Sequence, residues 1–223
     1  MKLACSFASR RAKPRRPGLV RRLLRSDRGS AAIEFVIIVP LMLLVLTGFA
    51  ETYCYLRAVS VLEHTALTLA DSLGQLPQVI DNNSTSNASN LGSLYSAATL
   101  LASPNDLQTG GGVMITSICD GSPSACVQPP SSPSLAGGTP VIHWQRSVPW
   151  NDGAFVSKVT SGAPTPSGWP FRVGDSAIVV EVFYKFNPFA MTAAFWPDAP
   201  GTQTIYQRVY VRSRTGYPLD LVS

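Results

Sequence analysis

The sequence predicts an α+β protein in which a long N-terminal helix precedes a small antiparallel β-sheet head with a short helix. Three observations support this class. A twenty-residue apolar run continues without a break into a helical apolar stripe. A short apolar stretch with helical character follows it, and four segments rich in β-branched and aromatic residues occupy the second half of the chain. With 223 residues the chain is long enough to bury a core.

The first 29 residues form a basic leader. Ten of the eighteen Lys and Arg residues precede Gly29 and only Asp27 opposes them, so the leader carries a side-chain charge of +9. From Ser30 onward, eight basic residues face twelve acidic ones. A basic segment beside an apolar run is typical of the positive-inside rule, which predicts a cytoplasmic leader. Because the basic excess ends with the leader, we expect no nucleic-acid partner.

The apolar run covers residues 31–50, AAIEFVIIVPLMLLVLTGFA, with Glu34 as its only charged residue. As a helix rising about 1.5 Å per residue it would be roughly 30 Å long, which matches the hydrocarbon core of a bilayer. Pro40 removes one backbone hydrogen bond, which predicts a kink or a local loosening. Glu34 is either a functional charge within the membrane or close enough to the cytoplasmic headgroups to stay hydrated. The pattern leaves both interpretations open.

The helix is predicted to continue beyond the apolar run as a stalk. Apolar residues recur at helical spacing between Glu51 and Leu73, and Gly74 followed by Pro77 is a stop signal. The predicted stripe consists of Tyr55, Leu56, Val59, Leu62, Ala66, Leu69, Ala70 and Leu73.

These boundaries predict three parts: a leader (1–29), a transmembrane and stalk helix (30–76), and an α+β head (77–223). The charge asymmetry predicts a single-pass protein of the bacterial inner membrane, with its N-terminus in the cytoplasm and its head in the periplasm.

The head is predicted to begin with a polar linker, residues 81–90 (DNNSTSNASN), which we do not expect to pack. A short helix is expected at residues 91–102, closed by Ser103-Pro104, and the glycines at 110–112 turn the chain into strands. The predicted strands are Val113–Cys119, Val141–Arg146, Ser176–Phe186 and Thr204–Arg212. The Pro/Gly/Ser-rich stretches between them, residues 122–140 and 147–174, are predicted loops.

The last predicted strand has two distinct faces, because side chains alternate along a strand. Ile205, Gln207, Val209 and Val211 share a largely apolar face. Tyr206, Arg208, Tyr210 and Arg212 occupy the other face.

Cys119 and Cys126 are the predicted disulfide pair among the four cysteines. They enclose a turn-rich hexapeptide, and an oxidising periplasm favours the bond. Closing so short a loop contributes about 2–3 kcal/mol to stability. Cys5 lies in the leader, and Cys54 is interpreted as a free thiol, with an intermolecular disulfide as the alternative. His and Cys residues do not pair at ligand spacing, so we predict no metal site.

The sequence contains no recognisable catalytic motif. Gly-x-Ser-x-Gly, Walker and dinucleotide signatures are absent from it, and the two histidines, His64 and His143, lie outside nucleophile or metal motifs. We therefore predict a protein that is not an enzyme and needs no cofactor.

The junction Arg28 to Phe35, RGSAAIEF, resembles a type IV prepilin processing site. Such a site has a basic leader, a Gly before the cut and a Glu as fifth residue of the mature chain. Cleavage after Gly29 would make Ser30 the N-terminus. The wider stretch GSAAIEFVIIVPLMLLVLTGFAE is similar to the TadE-like family, minor pseudopilins of the tight-adherence pilus system. The residues that carry the resemblance are Gly29, Ala31-Ala32, Glu34-Phe35, Pro40 and Glu51.

The resemblance implies a non-catalytic minor pseudopilin that acts in the assembly or secretion of a tight-adherence (Flp-type) type IV pilus. The implied partners are a prepilin peptidase, other minor pseudopilins, the pilus assembly platform and the inner membrane. It also implies that Glu34 pairs with the Ser30 amine of a neighbouring subunit. Phe35, Pro40 and Glu51 are the further residues assigned to helix packing.

Two alternatives remain open. In one, the apolar run is a signal peptide cut before Glu51, since Gly48-Phe49-Ala50 offers a small-x-small site. In the other, the run is an uncleaved anchor for a periplasmic hydrolase or binding domain. The charge of Glu34 and the continuous stalk argue against the first, and the missing catalytic motif argues against the enzymatic form of the second.

Overall fold

The computed structural model describes residues 27–121, 126, 135–151, 153–195 and 198–223, with backbone alone for residues 27–31 and 194. Most of the predicted leader lies outside these residues. The described chain contains α1 (Asp27–Gly74), β1 (Gln78–Ile80), α2 (Leu91–Leu101), α3 (Leu107–Gly110), β2 (Gly111–Asp120), β3 (Pro140–Ser147), β4 (Ser176–Phe186), β5 (Gln203–Arg212) and β6 (Asp220–Val222). A single 3-10 turn, Ala193–Phe195, precedes β5. The predicted α+β class, a long helix followed by a small antiparallel sheet with a short helix, is confirmed.

The chain divides into two units, residues 1–47 and 48–223. In the first unit, α1 carries exposed apolar side chains along residues 32–46, and Pro40 lies inside the helix. The part of α1 from Ala32 onward contains a stretch long and apolar enough to cross a membrane. By length and composition, this helix is compatible with a single-pass membrane protein.

The second unit is built on a four-stranded antiparallel sheet with the order β3-β2-β4-β5. The central strands β2 and β4 are buried on both faces over most of their length, since apolar residues point to both sides of the sheet. One face packs against helix, through residues such as Ile115, Val180 and Ile205. The other face carries two smaller clusters, one around Ile118 and Val179 and one around Phe183.

The later part of α1 is part of the head's core. Ala58, Leu62, Ala66, Leu69, Ala70 and Leu73 are buried in the same cluster as the sheet's helix-facing residues and α2. The predicted stripe was wrong at Tyr55 and Leu56, which are both exposed. Leu56 precedes the buried Ala58 by two residues, and at about 100° per residue such positions lie on nearly opposite sides of a helix.

A β-bulge in β3 sets which side chains reach the core. Ser117 pairs with Trp144 and Ile118 pairs with Ile142, so His143 is the extra residue. The bulge sends Trp144 to the helix-facing cluster and Ile142 to the opposite face. Trp144 then donates its indole N–H to the carbonyl of Leu219 at 2.6 Å.

Two features of the head differ from the sequence prediction. β1 and β6 form a short parallel pair that was not predicted, because three residues are too few to show a strand pattern. Residues 81–88 are exposed, as predicted, but Asn90 at the end of the linker is buried and donates from its side-chain amide to the carbonyl of Ser84 at 3.1 Å. Asx turns at Asn82 and Asn87 satisfy the backbone of this segment, which composition alone describes only as polar.

Candidate functional site

Glu51 is a buried acid at the point where the apolar run of α1 ends. Its carboxylate accepts backbone N–H hydrogen bonds from Met191 at 2.7 Å and Thr192 at 2.9 Å. The hydroxyl of Thr192 donates a third bond to the same carboxylate. A buried carboxylate is costly without partners, and three donors compensate for the water it has lost.

The donors lie in a loop between β4 and β5, residues 187–202, whose local fold directs them at the helix. The 3-10 turn at Ala193–Phe195 is closed by bonds from Ala193 N–H to the Phe189 carbonyl and from Phe195 N–H to the Thr192 carbonyl. The N–H groups of the preceding residues 191 and 192 take no part in these turn bonds and donate to Glu51 instead. Consecutive free N–H groups form a small anion-binding concavity, which Glu51 occupies.

A groove of about 340 Å³ adjoins this contact. Its walls are Glu51, Thr52, Tyr55, Pro188, Phe189, Pro200, Gln203 and Thr204. Tyr55 stacks obliquely on Phe186, with ring centroids 5.8 Å apart. Among the described residues that line the groove, Glu51 is the only one with an ionised side chain, and its oxygens are engaged by the loop. The arrangement therefore fixes a loop to a helix.

A second buried acid, Glu181, lies on the sheet face opposite α1. It accepts hydrogen bonds from the Tyr206 hydroxyl at 2.7 Å, the Lys158 backbone N–H at 3.0 Å and the Ser157 hydroxyl. The Lys158 ammonium lies 3.9 Å from the centroid of the Tyr206 ring. Burial and the bond to Glu181 raise the pKa of Tyr206 above its usual range, so its hydroxyl stays a proton donor. The network holds the long β3–β4 loop on the sheet.

The predicted disulfide between Cys119 and Cys126 is present, and Cys54 is an exposed free thiol. A ring nitrogen of His143 lies within 4.8 Å of both disulfide sulfurs. A metal site here would require thiolates, and the disulfide removes both. His143 instead contacts Asp220 of β6, with 3.3 Å between Nε2 and Oδ1.

The other residues assigned from the sequence lie along the first unit of α1. Gly29 and Ser30 are in its first turns, and Phe35 and Pro40 are exposed on its surface together with Glu34. Their assigned roles in processing and assembly stay predictions. Glu51 was identified from the sequence, whereas its partners Met191 and Thr192 were not. The available signal was indirect. An acid on a helix that packs on a head needs hydrogen-bond donors, but the sequence of an apolar loop does not show which backbone N–H groups supply them.

These features define a class: an α+β head that packs on the second half of one long helix, whose first half is apolar and exposed. Residues 29–71 match the family model described as TadE-like protein. The predicted resemblance to the TadE-like family is confirmed over this segment, which suggests involvement in the tight-adherence pilus system. No curated protein and no solved structure matches the chain.

Proposed function

We propose that this chain is a non-catalytic minor pseudopilin that acts in the assembly or secretion of a tight-adherence type IV pilus. The observation that carries the proposal is the TadE-like match, which begins at Gly29 itself and runs along α1 to residue 71. It therefore includes the proposed processing site, Glu34, Pro40 and Glu51. In this proposal a prepilin peptidase cuts after Gly29, and Ser30 becomes the mature N-terminus.

The proposed setting is the bacterial inner membrane, with a cytoplasmic leader and a periplasmic head. The charge of the leader supports this orientation, because basic residues flank the cytoplasmic end of membrane helices. The proposed partners are the prepilin peptidase, other minor pseudopilins and the assembly platform. Glu34 would pair with the Ser30 amine of a neighbouring subunit, since two opposite charges in low dielectric attract strongly while either alone is costly.

The second unit supports assembly by helix packing. On α1, four apolar side chains that the head leaves exposed fall on one face at helical spacing. They are Phe49, Tyr53, Leu56 and Leu67. A stripe of this kind on a membrane-tethered helix suits lateral contact with the helices of other pseudopilins.

The continuity of α1 favours this proposal over a cleaved signal peptide. The helix passes without interruption through the Ala50–Glu51 bond. Glu51 is buried and bonded to the loop, so the residues around the alternative cut belong to the folded head.

The mature N-terminus, determined by intact mass from a host with a prepilin peptidase, tests the proposal. We expect Ser30 at the N-terminus, and the full leader retained in Gly29→Arg. Ala50→Leu is the matched control, because it blocks a signal-peptidase cut before Glu51 and leaves the Gly29 site intact. An N-terminus at Glu51 that is lost in Ala50→Leu would contradict the proposal. An intact leader in the wild-type chain would also contradict it.

Pilus formation in a complemented deletion strain tests the assembly role. We expect the wild-type gene to restore surface pili, whereas Glu34→Ala is processed normally but restores few. Normal piliation and normal partner association with Glu34→Ala would contradict the charge-pairing step.

A further inference from the structure

The loop between β4 and β5 is unusually apolar for an exposed segment. Its first fourteen residues, 187–200, read NPFAMTAAFWPDAP and contain one charged residue, Asp198. Met191 and Phe195 are 53% and 79% exposed. Connecting segments normally present polar side chains to water, and a cluster of exposed apolar side chains marks a contact surface.

The position of this loop is set by Glu51. The bonds from Met191 and Thr192 fix the loop to Glu51, the residue of α1 that directly follows the apolar run. That run, residues 31–50, has the length of a bilayer's hydrocarbon core, so Glu51 lies where the helix would leave it. With the run across the bilayer as proposed, the loop would lie at the level of the membrane surface.

Exposed aromatic side chains also lie at the end of the apolar run, on the side of α1 away from Glu51. Phe49, the next-to-last residue of the run, is 71% exposed, and Tyr53 follows one turn later. Both belong to the same unit as the loop. Aromatic residues at this level of a membrane helix are typical of the interfacial belt.

We propose that the loop inserts Met191 and Phe195 into the headgroup–acyl boundary of the bilayer that α1 crosses. Residues 187–200 contain no Lys or Arg, so the contact depends on burial of apolar surface and not on attraction to anionic headgroups. The head is then attached to the membrane at two points, the helix and the loop, which restricts its tilt. This inference rests on the membrane anchoring in the proposed function, but not on the role in pilus assembly.

Depth-dependent fluorescence quenching tests the inference on the full chain, with one copy per nanodisc of phosphatidylethanolamine and phosphatidylglycerol. Cys5→Ser and Cys54→Ser remove the free thiols, and the Cys119–Cys126 disulfide is kept. An environment-sensitive fluorophore is then placed on Met191→Cys or Phe195→Cys, and brominated lipids serve as quencher. Leu44→Cys, inside the apolar run, reports whether the helix itself is in the bilayer.

Leu135→Cys is the matched control in the head. Leu135 is 82% exposed, close to the 79% of Phe195, but it lies at the other end of the sheet. Its neighbour Gly137 bridges to Arg172, just before β4 begins, whereas the loop follows the end of β4.

We expect labels at residues 191, 195 and 44 to lose intensity with brominated lipid and to emit at shorter wavelength, while the label at residue 135 does neither. For an apolar contact we expect an equal loss of fluorescence intensity in discs of phosphatidylcholine alone. Quenching that requires phosphatidylglycerol would overturn the apolar contact. If the label at residue 44 is quenched but the labels at residues 191 and 195 are neither quenched nor shifted, the loop contact is overturned and the anchoring stays intact. Absence of quenching at residue 44 would overturn both. A shift of the emission to shorter wavelength that appears only with several copies per disc would assign the loop to a contact with a second chain. That result would overturn the lipid contact.

Discussion

The carboxylate of Glu51 and the backbone N–H of Met191 lie 2.7 Å apart, although one residue is on the N-terminal helix and the other is in the loop before the last long strand. The contact is the point where the second half of the chain is tied to the end of the apolar run. It relies on an ionised acceptor and on two consecutive backbone donors, so it depends on side-chain charge at one end and on loop conformation at the other.

We expect Glu51→Gln to loosen the loop at residues 187–195. The substitution keeps the side-chain volume but replaces one acceptor oxygen with an NH₂ group that faces N–H and O–H donors. Backbone amide hydrogen exchange at Met191 and Thr192 should accelerate by roughly tenfold or more. Exchange measured by mass spectrometry checks this. Glu63→Gln, an exposed position on the same helix, is the control, and equal effects of the two variants would contradict the role of Glu51.

Tyr206→Phe should destabilise the head by about 1–3 kcal/mol, because it removes one donor to the buried carboxylate of Glu181. Urea unfolding followed by fluorescence or circular dichroism measures the change. Tyr53→Phe removes a hydroxyl from an exposed side chain of α1 and should leave the free energy of unfolding within about 0.5 kcal/mol of wild type. An unchanged free energy of unfolding in Tyr206→Phe would show that the hydroxyl contributes nothing to the network.

The same residue predicts a dependence of stability on alkaline pH. Burial, together with the bond to Glu181, raises the pKa of Tyr206 in the folded state. An unfolded tyrosine ionises near pH 10, so above that pH the unfolded state binds fewer protons than the folded state. The free energy of unfolding should therefore fall as the pH rises above about 10. The free energy of unfolding of Tyr206→Phe should fall less steeply over the same range. Identical slopes between about pH 10 and 11 in the two proteins would refute this assignment.

Loss of the Cys119–Cys126 disulfide should destabilise the head by about 2–3 kcal/mol. The double variant Cys119→Ser/Cys126→Ser and the reduced wild-type chain should show the same lowered thermal midpoint, since each removes the same constraint. Cys54→Ser should match wild type, because Cys54 is exposed and unbridged. A midpoint unaffected by reductant would mean that the loop is held without the bond.

Leu62→Ala should cost about 2–5 kcal/mol, because Leu62 is fully buried between α1 and the head. Leu56→Ala on the same helix removes an exposed side chain and should cost less than about 1 kcal/mol. Unfolding monitored by head-specific tryptophan fluorescence distinguishes the two. Similar losses would contradict the assignment of the later part of α1 to the head's core.

The main elements could be predicted because their sequences are unambiguous. The strand at Ser176–Phe186 was predicted with the bounds that the structure has, since a run dense in Val, Ile and aromatic residues fits few other structures. The long helix was equally clear from its apolar run and stripe. Strand order was not predicted, because long loops between antiparallel strands leave the neighbours of each strand undetermined.

The site was only half predictable. Glu51 was identified through a resemblance, but its partners are backbone N–H groups of Met191 and Thr192, which every residue type except proline possesses. Glu181 lies in a strand pattern in which a single acid looks like an ordinary outward-facing residue. Its burial depends on the β3–β4 loop, which supplies Ser157 and Lys158 from a segment without secondary-structure signals.

The parallel pairing of β1 with β6 has a kinetic consequence. β1 directly follows the long helix and β6 is the last strand, so their contact closes nearly the whole head as one loop. Contacts between residues far apart in the chain slow folding, because the entropy of ordering the intervening chain is lost before the contact forms. The buried indole N–H of Trp144 receives its acceptor, the Leu219 carbonyl, only when this terminal segment docks. We therefore expect the fluorescence of Trp144 to change when this terminal segment docks on the head.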